Sequence, residues 1–152
     1  MGTVPDPPDS QSGRPQGRLF TVAEANRMLP YLRSALTEAA GHRERWRQGA
    51  EELRRIEAVG RTPQGPLILA ADHRAVHATM EQHLGAVSAV LEQIAAHGCQ
   101  VKDLTTGLCD FPAVIDGEPV LLCWRLDEPA VAHYHDPVAG FRGRRPLPPQ
   151  AR

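Results

Sequence analysis

Two amphipathic stretches of similar length, separated by a segment rich in glycine and proline, constrain this chain more than anything else in its sequence. Positions 29, 32, 36, 39, 43, 46, 50 and 53 carry Leu, Leu, Leu, Ala, Arg, Trp, Ala and Leu, a 3-4 spacing broken only by Arg43. A second pattern runs through Leu69, His73, Val76, Met80, His83, Val87, Val90, Ile94 and His97, and closes at Gly98, a natural residue just past a helix end. Residues 60–66 between them contain two glycines and two prolines and suit a loop. The spacing predicts helices over 22–58 and 68–97, lying antiparallel along roughly 42 Å.

Thr21 and Glu24 form a T-x-x-E capping box that starts the first helix at Val22. Pro30 lies inside that helix, where a missing donor and a crowded turn predict a kink or break. Antiparallel pairing sets Leu53 against His73, Ala50 against Val76, Trp46 against Met80, Arg43 against His83, Ala39 against Val87, Leu36 against Val90, Leu32 against Ile94 and Leu29 against His97. Arg43 opposite His83 then reads as a polar layer that fixes register. Ile56, Leu84, Ala86 and Leu91 flank the seam and need a cover, either the rest of the chain or a second copy.

After Gly98 the period changes. Short apolar or alternating runs at 99–103, 108–114, 120–126 and 131–136 are separated by turns, of which Asp116-Gly117 is a strong hairpin signal. An antiparallel β-meander of three principal strands results, with the helices as its second layer. The expected fold is therefore α+β: a long, coiled-coil-like helical hairpin followed by a small meander, in one domain over 18–147. Residues 1–17 and 148–152 read as disordered tails, because Pro, Gly, Ser and Asp dominate them without apolar periodicity.

Polar residues gather at one end of the meander. Arg125, Arg144 and Arg145, together with Asp110, suggest a site for a small anionic ligand, since guanidinium forks suit phosphate or carboxylate. The glycines at 140 and 143 would let backbone amides approach such a ligand. His133 and His135 alternate on the last strand and, with Asp136 or Asp110, suggest a site for a divalent metal. His73, His77 and Glu81 share one side of the second helix and form a weaker metal candidate. Cys99, Cys109 and Cys123 are an odd number without a CxxC and read as reduced core thiols.

Among 152 residues, 17 Lys and Arg nearly cancel 18 Asp and Glu, so no global field draws the chain to nucleic acid. No run approaches the ~18 apolar residues of a membrane span, and a signal peptide is not evident, so a cytoplasmic location is expected. There is no P-loop, no GxGxxG after a strand and no GxSxG elbow. These features favour a self-associating interaction or accessory module over an enzyme, homo-oligomeric through the hairpin, with an anion- or metal-binding protein as the alternative.

The segments FTVAEANRMLP (20–30), CQVKDLTTGLCDFPA (99–113), VLLCWRLDEP (120–129) and HYHDPVAGFRGRRPL (133–147) resemble those of an uncharacterised prokaryotic family, the domain of unknown function numbered twenty-two-oh-three. The resemblance covers about residues 19–147 and implies a helical hairpin with a C-terminal β-part. It implies no activity, substrate or catalytic residue. Cys109 stands where the family pattern carries an aliphatic residue, which argues against an essential role for that thiol.

Overall fold

The computed structural model describes residues 17–59 and 66–151, with the side chains of 66–70 outside the description. The expected tail over 1–16, the loop over 60–65, the seam side chain of Leu69 and the last residue lie outside the described residues. The first helix, α1 (Val22–Val59), opens as its sequence dictates: Glu24 N donates to Thr21 Oγ1 at 3.0–3.1 Å, and Thr21 N donates back to Glu24 Oε2. It runs through Pro30 without a break. The proline ring is exposed, while Leu29 and Leu32 beside it are buried in the core, and that burial offsets the missing hydrogen bond. The second helix, α2 (Pro66–Ala96), is followed by a turn at Gly98, whose φ of 91° is the left-handed geometry that favours glycine.

The helices run antiparallel, with Tyr31 beside His97 at one end and Glu57 beside His73 at the other. Their polar layer differs from the expected one. His42, not Arg43, meets His83, with the two Nδ1 atoms 3.0 Å apart. Arg43 is exposed and donates to Thr105 Oγ1 at 2.7 Å. Two causes combine. A straight helix drifts relative to a strict heptad, carrying the stripe from Ala39 to position 42; and Gly49, lacking a side chain, admits Met80, so Trp46 is left 38% exposed.

A five-stranded antiparallel sheet follows in the order β1 (Gln100–Asp103), β2 (Leu108–Ile115), β3 (Glu118–Trp124), β4 (His133–His135) and β5 (Arg145–Pro146). Asp116 (φ 52°) and Gly117 (φ 81°) make the two-residue turn between β2 and β3, so Ile115 faces Glu118 and Asp110 faces Cys123. β5 lies among the glycines and arginines that follow β4 and pairs with His133 and Tyr134. Beyond it, Leu147 is buried and its amide bonds to Ala132 O, while Pro149–Ala151 form a 3₁₀ turn with Ala151 against the core, where composition alone suggests a tail.

One face of the sheet packs on the helices. Cys109, Phe111, Ala113, Val120, Leu122 and Trp124 share a core with Leu29, Leu32, Leu36, Val90 and Ile94. Arg33 ties α1 to the turn after β3 by donating to the carbonyls of Leu126, Glu128 and Pro129. Strand alternation therefore sends Asp110, Leu121, Cys123, His133 and His135 to the opposite face.

Candidate metal centre

That second face is covered at one end by residues 136–144. Asp136 Oδ1 accepts the amides of Val138 and Ala139 at 2.7–2.8 Å, and these bonds, Ala139's first, hold its carboxyl below the usual carboxylate range. Gly140 (φ 64°) then lets the chain turn into the 3₁₀ helix Phe141–Gly143. The side chains of Asp110 and His135 are 3% exposed beneath this segment, and Cys123 is fully buried.

The three approach one another closely. Asp110 and Cys123 are directly opposed on β2 and β3, and β4 sets His135 on the same face against Leu121. His135 Nε2 lies 3.1 Å from Asp110 Oδ1, and one ligand atom each from Asp110, Cys123 and His135 falls within 4.8 Å of the others. Among the described residues this is the one group of three such side chains. Asp110 and His135 also wall a pocket of about 280 Å³ lined by Lys102, Leu108, Leu121, Pro137, Gly140 and Phe141.

The hydrogen bonding of His135 sets which ring nitrogen carries hydrogen. Its Nδ1 lies 2.8 Å from the Asp136 carbonyl oxygen, which can only accept, so Nδ1 carries hydrogen. In a neutral ring Nε2 then presents a lone pair, and the atom it faces is a carboxylate oxygen. Two lone pairs at 3.1 Å repel unless a proton or a cation lies between them. Burial, with the Asp110 charge second, pushes the Cys123 thiol up to about 12, so by itself it is not a nucleophile. Cys99 is pushed up too, first by its hydrogen bond with Cys109 and then by burial, and all three thiols are unbridged as expected.

The other expected site residues are placed as follows. His133 sits opposite Cys123, with its Nδ1 buried and without a hydrogen-bond partner. Asp136 turns one carboxylate oxygen, Oδ1, to the amides of the turn. Arg144 pairs with Glu128 at 2.7 Å, Arg125 forms a fork on Asp127 at 2.9 and 3.0 Å, and Arg145 stacks over Tyr134. Each arginine has a partner within the chain, and Arg125 and Arg144 both lie over the Phe141 ring, at 5.7 and 4.9 Å. The rings of His73 and His77 lie 4.6 Å apart at a tilt of 52°, while Glu57 faces His73. Cys123 is the member that sequence reasoning did not assign, although the Asp116-Gly117 turn implies its register opposite Asp110.

Among the described residues no helix is long and apolar enough to cross a membrane. No curated protein and no solved structure matches the chain. A family model described as "Uncharacterized conserved protein (DUF2203)" matches residues 18–147, the span over which the motifs resemble that family. The fold those motifs imply, a helical hairpin followed by antiparallel strands, is the fold observed, and the chain belongs to this family.

Proposed function

We propose that the protein binds a divalent transition-metal ion, zinc in the first instance, through Asp110 Oδ1, Cys123 Sγ and His135 Nε2. The observation that supports this most is the opposition of Nε2 and the carboxylate at 3.1 Å while Nδ1 is committed to a backbone carbonyl. Metal-bound histidines characteristically donate their second N–H to such a carbonyl, which fixes the tautomer and aims the free nitrogen at the ion. One sulfur, one nitrogen and one oxygen make a donor set that suits zinc. Bonds of about 2.0–2.3 Å in a tetrahedral array put ligand atoms roughly 3.3–3.6 Å apart. The three ligand atoms lie within 4.8 Å of one another, so binding asks them to close by roughly an ångström. The ion displaces the Cys123 thiol proton and the proton between Asp110 and His135.

Untagged full-length protein, loaded with zinc and dialysed, is expected to retain one equivalent by elemental analysis. His135→Ala should weaken retention by at least about 100-fold, more than the loss of an outer-shell partner. Full retention by His135→Ala would place the ion elsewhere. A protein that retains none would make the pair a buried structural contact.

A second reading concerns the outer half of the hairpin. The shared core reaches only to Ala39 on α1 and back to Val90 on α2, and beyond it Trp46 and Leu84 are 38% and 55% exposed. We infer that these residues support self-association, as an uncovered apolar stripe on a helix pair favours a four-helix assembly. Light scattering at micromolar concentration is expected to give a dimer that Trp46→Glu dissociates; a monomer would remove this reading.

A further inference from the structure

Resting on the zinc reading above, we propose that the centre takes a small monocarboxylate with an apolar body, bound through its carboxylate at the open fourth position. Three protein ligands leave a tetrahedral ion one vacant direction, the arrangement of zinc sites that act on a bound molecule rather than of closed structural ones. Asp110 and His135 form part of the wall of the 280 Å³ pocket and Cys123 does not, so an ion held by the three would be reached from the pocket, on the side away from Cys123. That volume lies at the small end of ligand sites and limits the occupant to about one ring.

Charge and wall chemistry narrow the class. A divalent ion with the Asp110 carboxylate, the Cys123 thiolate and a neutral His135 sums to zero. Lys102 is the one further charged residue among those lining the pocket, and it adds a single positive charge. A monoanion is therefore matched, whereas a dianion brings a second charge into the pocket without a partner. Leu108, Leu121, Pro137 and Phe141 supply the remaining surface and suit hydrocarbon. Phe141 is 38% exposed at the rim, with the Arg144 and Arg125 guanidiniums 4.9 and 5.7 Å from its ring centre, each already paired with a carboxylate, Glu128 and Asp127.

The test is calorimetry on zinc-loaded full-length protein with benzoate, its neutral counterpart benzamide, and phthalate as the dianion. Benzoate is expected to bind the loaded protein at least about tenfold more tightly than the metal-free protein, and about tenfold more tightly than either analogue. Lys102→Met, a change at an exposed position, should retain zinc and weaken benzoate by about tenfold. Retained zinc with no benzoate preference for the loaded form, or an unchanged affinity in Lys102→Met, would overturn the ligand class and leave the metal site standing. Failure to load zinc at all would overturn both.

Discussion

Trp124→Ala is expected to cost about 3–5 kcal/mol of folding stability, the range for truncating a fully buried large aromatic. Trp124 has no exposed surface and packs in the core between the sheet and the hairpin. Its indole Nε1 donates to Glu128 O at 3.0 Å, and the Arg33 guanidinium lies over the ring at 5.2 Å while holding three carbonyls of the turn after β3. Truncation opens a cavity, removes the indole's hydrogen bond and takes away the surface that orients Arg33. A domain has about 5–15 kcal/mol in total, so this is a large share. Thermal unfolding should show Tm lower by roughly 10 °C; a change below about 3 °C would mean the ring carries little of the packing.

Asp110→Ala and Asp110→Asn separate what Asp110 does for the fold from what it does for an ion. In metal-free protein, alanine leaves the buried His135 Nε2 without its partner, a loss that costs about 1–3 kcal/mol at such positions. Asparagine keeps the shape and can donate its amide hydrogen to Nε2, so the fold should be nearly as stable as the parent. It lacks the negative charge, however, and zinc uptake should fall by about 100-fold or more. Chemical denaturation reads the first effect and metal titration the second. Equal stability of the alanine and asparagine variants would contradict the buried pair; unchanged zinc affinity in asparagine would remove Asp110 from the ligand set.

Local chemistry was the part of the fold most legible in the residues. The Thr21 and Glu24 box and the Asp116-Gly117 turn each require particular side chains at particular spacings, and both stand where expected. The turn even implies the opposition of Asp110 and Cys123, because a two-residue loop counts the register outward from itself. What was not legible depends on tertiary contact. β5 is two residues long and has no period to detect. The exchange of Arg43 for His42 at the helix seam follows from a drift of one position and a close approach at Gly49. Burial of the outer sheet face follows from the fold of residues 136–144, a segment whose glycines and arginines suggest an exposed loop. Asp110 and His135 were each visible as polar residues at that end of the sheet; that they share one buried site with Cys123 depends on three strands being in register.

Cobalt substitution tests the centre most directly, because it reports ligands and not merely uptake. Full-length protein titrated with Co²⁺ under reducing conditions is expected to show visible bands of a four-coordinate ion and a near-ultraviolet sulfur-to-cobalt charge-transfer band, saturating at one equivalent. Cys123→Ser should abolish the charge-transfer band, whereas Cys99→Ser and Cys109→Ser, whose thiols belong to the helix side of the sheet, should retain it. A spectrum without the sulfur band, or one that persists in Cys123→Ser, would contradict a metal centre built from Asp110, Cys123 and His135.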